Sequence, residues 1–276
     1  MKSFLKTKDH SVSGEEFQLM HNLDLDMLIT TPEPKNLETY YQSDDYISHT
    51  DSQKTFVDKI YQSVKKYSLR KKLNLISKGV NSNKSLLDIG AGTGDFLSLA
   101  KNNGWTINGV EPNEKARAKA SEKGVTIISD MESLPPSKKY SVITLWHVLE
   151  HLPDLEKQIK KISSLLEDEG TLIVAVPNFK SFDANHYKNF WAAFDVPRHL
   201  WHFSRGSIEL LFEKENMKVA EIKPMLFDSF YVSLLSEKYK TGNQNFAKAF
   251  CVGLWSNMKA WRTKEYSSLI YVLTKA

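Results

Sequence analysis

Two sets of residues in this chain are spaced so that they could do chemistry. The first is histidine: five of the eight fall between residues 147 and 202, namely His147, His151, His186, His199 and His202. Imidazole changes charge nearest neutral pH, so a histidine beside an accepting oxygen can take its proton. His147 is the first choice for that base and His199 the second. In His147-Val-Leu-Glu150-His151 the two histidines stand at i and i+4, a spacing that on a helix could hold a transition metal. The plainer reading is that Glu150 and His151 pack and cap a turn.

The second set is Leu87-Asp88-Ile89-Gly90-Ala91-Gly92-Thr93-Gly94-Asp95, with three glycines in five residues after an apolar run. Glycine permits positive φ and lets a ligand lie against bare backbone. Glu111 follows Gly90 by twenty-one residues, the spacing at which a carboxylate grips ribose hydroxyls. A dinucleotide fingerprint would read G-x-G-x-x-G, with its last glycine where Asp95 stands. An acid at a helix start repels phosphate, so a cofactor without phosphate fits this turn better.

Such residues converge only at the carboxyl edge of a parallel sheet. From Ser85 onward the pattern supplies one, with strands at 86–89, 106–110, 126–128, 141–146 and 171–176. Helices are expected at 95–102, 114–123 and 154–168, the last capped by Asp154 and ended before Gly170. After Asn178 the rhythm stops for about 25 residues rich in Phe, Trp and His. It resumes with a helix from about Ser204 and a strand near 219–222. A second, helical and aromatic-rich insertion fills about 227–262, and residues 267–276 close the chain as a strand.

Thirty-seven Lys and Arg against thirty-three Asp and Glu give +4, too mild for a dedicated nucleic-acid binder. Pro32 and Pro34 break the first segment, so residues 1–35 read as an extended or loosely folded arm. Apolar spacing predicts a helix over 52–76. Its clusters Lys65-Lys66 and Arg70-Lys71-Lys72 lie in a stretch, 61–85, with seven bases and no acid, and read as a solvated face. Cys251 is the single cysteine, which excludes an intrachain disulfide framework and a Cys-based zinc site. The start of the chain has no apolar run of secretory type. The stretch Phe246 to Trp255 is about half the length that spans a bilayer. A soluble, cytoplasmic protein is expected.

Taken in order, LLDIGAGTGDF, GVEPN, the Asp130-Met131 pair and TLWHVLEHLPD resemble a class I S-adenosylmethionine-dependent methyltransferase. Within that superfamily they are most similar to the small-molecule branch that includes the ubiquinone-biosynthesis O-methyltransferases, over about residues 84–222 and the last strand. The resemblance implies an α/β, Rossmann-like, doubly wound fold. Its seven-stranded, mostly parallel sheet would carry an N-terminal helical lid and insertions after strands 5 and 6. The division would be an arm and lid over 1–80 and a methyltransferase domain over 81–276, with insertions at about 179–203 and 227–262.

By the same resemblance, Asp88, Gly90, Ala91, Gly92 and Gly94 line the methionine end of S-adenosylmethionine. Glu111, followed by Pro112, accepts both ribose hydroxyls. Asp130 takes the adenine amino group with Met131 against the ring, and Trp146 and His147 lie beside the sulfonium. Relatives that bind a divalent metal carry Glu where His147 stands, so no metal is expected here. The segment D-x-P-R-H-x-x-H-F resembles a recurring substrate wall, which assigns Trp191, Arg198, Trp201 and His202 to the acceptor, with Tyr46 of the lid near the transferred methyl.

The implied reaction is methyl transfer to a small aromatic or lipid-like acceptor, at a hydroxyl oxygen. Two alternatives stay open: a methyltransferase acting on RNA or protein, supported only by the basic 61–85 segment, and a cofactor-binding protein without turnover. TLWH stands where many base and amine methylators carry Asn/Asp-Pro-Pro-Tyr/Phe, and no stable nucleic-acid binding is expected.

Overall fold

The structure, a computed structural model, describes residues 1–34, 36–41, 56–78, 83–135 and 137–276; Tyr46 lies outside them. In chain order its elements are β1 (Lys2–Lys8), β2 (Glu16–Asn22), β3 (Met27–Thr31), α1 (Phe56–Ile76), β4 (Ser85–Ile89) and α2 (Asp95–Asn102). Then come β5 (Thr106–Val110), α3 (Glu114–Glu122), β6 (Tyr140–Trp146), α4 (Leu155–Leu165), β7 (Leu166–Pro177) and α5 (Phe182–Tyr187). The last are β8 (Trp201–His202), α6 (Arg205–Glu213), β9 (Met217–Pro224), α7 (Asp228–Thr241), α8 (Phe246–Thr263) and β10 (Ser268–Lys275).

The central sheet has the order β5-β4-β6-β7-β10-β9. Its pairs are parallel from β5 to β7, while β10 runs antiparallel to both neighbours. β4 and β6 are near-continuous apolar runs because helices cover both faces, and Leu86, Leu87, Val142, Ile143 and Leu145 are fully buried. The chain leaves β4 outward to β5 and returns to β6 on its other side, so a switch point opens at the carboxyl ends of β4 and β6.

Among the described residues six strands form this sheet. The expected strand at 126–128 is reduced to one parallel bridge between Val110 and Ile128. Asp130 turns the chain away directly afterwards by accepting from the Ser133 backbone N–H at 2.8 Å. Asp154 does not cap α4: it has φ +49° and makes no side-chain cap hydrogen bond. α4 ends at Leu165 and β7 starts at once, which places Gly170 inside the strand.

The first thirty residues are not a loose arm. β1, β2 and β3 form an antiparallel meander, and β8 from the aromatic insertion extends it, Leu28 pairing with His202 and Ile29 with Trp201. Phe17, Leu19 and Leu28 on this sheet meet Trp191, Phe194 and Val196 of the insertion in a second core. The meander is stable because the insertion supplies the apolar surface that the strands lack alone. Pro32 and Pro34 merely end β3.

Candidate active site

Three glycines shape the turn after β4. Gly90 has φ +72°, and a Cβ there would stand 2.2 Å from Val148, so both conformation and space require glycine. Gly94 lets α2 approach α3: its Cβ would come within 2.8 Å of Ala120. Gly92 has open space, with nothing within 4 Å of such a Cβ. Its N–H donates to Glu111 Oε2 at 2.9 Å, while the Asn113 N–H donates to Oε1 at 3.0 Å. Two backbone donors thus fix the carboxylate at the end of β5, beside the turn. Arg117 donates to the carbonyls of Glu111 and Pro112, which holds that loop in place. Ala91 is buried beneath the turn, and Asp95 at the start of α2 is neutralised by Lys65 at 2.7 Å and Lys123 at 2.6 Å.

Asp130 and Met131 stand at the end of the bridge segment, Asp130 exposed and fixed by Ser129 and Ser133, Met131 buried. Asp88 is buried in β4 and accepts from the Thr144 hydroxyl at 2.6 Å. Burial pushes its carboxyl up to about 7. Lys72 of α1 reaches over the Trp146 ring, its ammonium 4.3 Å from the centroid. Burial brings that ammonium down to about 8 against the opposing charges of Asp88 and Asp228. Lys65 and Lys72 therefore turn inward, whereas Lys66, Arg70 and Lys71 form the solvated face the sequence suggested.

Past Trp146 the chain kinks at His147, which has φ +58°. His147 Nδ1 lies 3.3 Å from Glu150 and Nε2 lies 3.0 Å from Asp228, the first residue of α7. Burial alone would lower this imidazole's pKa, but the two carboxylates outweigh it and raise it to about 10. At neutral pH His147 is therefore an imidazolium in this arrangement, not the ready base that its position in the sequence suggests. Asp228 and Lys72 are the groups that sequence reasoning missed. Each comes from a distant helix, and no local spacing announces it.

The fold also brings Glu150, His151 and His199 together, with one ligand atom from each lying within 4.8 Å of the others. His151 Nδ1 is 3.0 Å from the Arg198 carbonyl and His199 Nδ1 is 2.9 Å from the Ala193 carbonyl. A carbonyl only accepts, so donation to these carbonyls puts the proton on Nδ1, the tautomer in which a neutral ring has its lone pair on Nε2; the Tyr41 hydroxyl also lies 2.9 Å from His151 Nδ1. Glu150 is fully buried and, among the described residues, neither of its oxygens has a hydrogen-bond partner of good geometry, though Oε1 lies 3.3 Å from His147. These three groups are of the donor types that could hold a divalent transition ion.

The expected acceptor wall is turned inward. Trp191 donates to Asp183 at 2.7 Å, and Arg198 binds Asp195 at 2.6 and 3.0 Å and Asp9 at 3.3 Å. Thr30 donates to the His199 carbonyl at 2.6 Å, so its oxygen accepts from His202 Nε2 at 3.0 Å. All three residues are buried, and these hydrogen bonds hold them within the insertion and, for Arg198 and His202, against the meander. Trp201 remains half-buried and donates to the Leu152 carbonyl at 2.7 Å.

Residues 61–222 match the family model described as a methyltransferase domain. This is more than half of the chain, and the chain belongs to that family, the S-adenosylmethionine-dependent methyltransferases. Among curated relatives, the ubiquinone biosynthesis O-methyltransferase of Actinobacillus pleuropneumoniae serotype 5b is 32% identical over 108 residues, which cover 34% of this chain and 46% of that protein. The C-methyltransferase NovU of Streptomyces niveus is 26% identical over 157 residues, covering 52% of this chain and 35% of that protein. The chain thus spans less than half the length of either relative. The crystal structure of magnesium protoporphyrin IX methyltransferase from Synechocystis PCC 6803, with bound SAH, superposes with a TM-score of 0.55 at 17% identity, covering 83% of this chain and 91% of that one. At that identity the likeness is one of fold.

Proposed function

We propose that the protein transfers the methyl group of S-adenosylmethionine to a hydroxyl oxygen of a small, aromatic or lipid-like acceptor. The observation that carries this reading is His147, held at Nδ1 by buried Glu150 and met at Nε2 by Asp228 beside the glycine turn. A sulfonium methyl is already activated, so the protein must align acceptor, carbon and sulfur and dispose of one proton. Glu111 is preset for the ribose, Asp130 and Met131 for the adenine, and the turn from Asp88 to Gly94 for the methionine end. When the acceptor hydroxyl takes the place of Asp228 at Nε2, one carboxylate remains on the ring. The Nε2 proton leaves with the displaced Asp228 carboxylate, Glu150 keeps Nδ1 protonated, and the now neutral His147 ring takes the acceptor proton at Nε2.

A second reading rests on the cluster of Glu150, His151 and His199. A divalent ion held there would polarise the accepting oxygen and make it a better nucleophile. On this reading His199 is a ligand; its burial and its Nδ1 bond to Ala193 argue against its serving as the base.

The test is a methylation assay in which cell extract and labelled cofactor are incubated with the protein. Label in an organic-soluble product whose methyl ether survives base supports the proposal. Label confined to protein or RNA overturns the acceptor class, and binding of cofactor with no label transferred to any fraction overturns catalysis. A chelator-sensitive rate restored by added divalent ion selects the second reading.

A further inference from the structure

The helix α8 is built the wrong way round for a soluble protein. Its inward stripe is mostly small: Ala249, Val252, Gly253, Ser256 and Ala260 are buried against the neighbouring helices. The fit there is tight, since a Cβ on Gly253 would lie 2.8 Å from the Phe230 ring and 2.9 Å from the Phe230 backbone. Large side chains have no room inside, and they line the opposite face instead. Phe246, Phe250, Leu254, Met258 and Trp261 recur at spacings of three and four, between 44% and 75% exposed, with Trp261 the most exposed. This is one continuous apolar stripe, and soluble surfaces rarely carry one. It joins Leu226 and Phe227 at the entry to α7, 49% and 45% exposed, where Asn257 donates to the Leu226 carbonyl at 2.9 Å.

The charges around the stripe are predominantly positive, and the acids at its two ends, Asp228 and Glu265, are turned to His147 and Asn178. Residues 229–264 contain six bases, Lys238, Lys240, Lys248, Lys259, Arg262 and Lys264, against the single acid Glu237. That acid is buried and paired to Lys248 at 3.0 Å, so it offers nothing outward. A second copy docked about a two-fold axis would set these bases against themselves. An anionic bilayer complements them, and aromatic residues with flanking cations are what an interfacial helix uses. No helix among the described residues is long and apolar enough to cross a membrane, so the mode is docking in the interface plane.

We propose that the outer face of α8, continued by Leu226 and Phe227, docks the protein on anionic lipid headgroups. The face ends at Asp228, whose carboxylate is 3.0 Å from His147, so docking would set the site next to the bilayer that holds a lipid-like acceptor. That delivery role rests on the acceptor reading above; the docking itself does not. The test floats the full chain, without acceptor, on vesicles of phosphatidylcholine alone and of phosphatidylcholine with about one-third phosphatidylglycerol. The expected result is flotation with the anionic vesicles, weakened at least about tenfold by high salt and by Phe250→Glu with Trp261→Glu. Both positions are exposed, so the melting curve should stay in place; a variant with Lys259→Gln and Arg262→Gln gives an independent loss should the first misfold. Three results overturn the proposal: no flotation with anionic vesicles, flotation insensitive to both variants, or a dimer in sedimentation velocity that Trp261→Glu dissolves. Because no methyl transfer is measured, failure here leaves the acceptor reading standing, and its failure leaves this one.

Discussion

At the glycine turn the backbone stays bare at Gly92, and two amides aim the Glu111 carboxylate along the sheet edge. In the aromatic insertion Trp191, Arg198 and His202 are 2–4% exposed; Trp191 ends on Asp183 within the insertion, while Arg198 and His202 also reach Asp9 and Thr30 of the N-terminal segment. Both regions hold the residue types from which binding sites are made. The turn owes its character to backbone conformation, which a handful of consecutive residues dictate. The insertion owes its character to what packs against it, and the meander that does so lies some 170 residues earlier in the chain.

The largest effect should separate the reacting edge from everything else. His147→Ala is expected to lower kcat by ~10²–10⁴-fold while the dissociation constant of S-adenosylmethionine hardly moves. A raised pKa also fixes the direction with pH: stability from the His147 ion pairs is complete below about 6.5 and is lost as pH rises through about 10. Full turnover in the alanine variant would remove His147 from the chemistry.

Next in size is Arg198→Ala, which tests whether the insertion is core or wall. Removing the guanidinium strands Asp9 and Asp195, and breaking a buried pair in this way costs about 3–5 kcal/mol of stability. The midpoint of a urea melt should fall sharply. A raised KM with an unshifted melt would return Arg198 to the acceptor. Glu111→Ala should cost less, about 2–3 kcal/mol of cofactor affinity measured by calorimetry, because a charged acceptor to two hydroxyls is lost. An unchanged affinity would move the ribose site away from β5.

The reach of the sequence follows the same division. The helix 95–102, the strand 106–110 and the placement of Glu111 could be read directly, because apolar periodicity and glycine act over short spans. His147 was legible in position but not in charge, since its two carboxylates include Asp228, eighty-one residues away. The meander was hidden by its prolines, and its strands alternate too weakly to stand without the insertion they pack on. The metal-competent cluster was half legible: Glu150 and His151 are adjacent, and only the fold adds His199.

The smallest predicted effect concerns the joint between those two distant segments. Asp9, in the turn after β1, accepts from the backbone N–H groups of Ser11, Val12 and Ser13 and pairs with Arg198. Burial works against its carboxylate, yet those amides and the guanidinium prevail and hold its pKa at about 2, below the ordinary 3.8. A depressed carboxyl contributes stability that is complete above its unfolded pKa and disappears as pH falls through its folded one. The contribution is about 2 kcal/mol. Asp9→Asn should therefore be less stable than the parent at neutral pH by roughly that amount, and the gap should narrow between about pH 4 and pH 2. Urea melts of both proteins at several pH values measure it. A gap that stays constant down to pH 2 would mean that the asparagine fails for reasons of packing, and that the Asp9–Arg198 charge pair does not clasp the meander to the insertion.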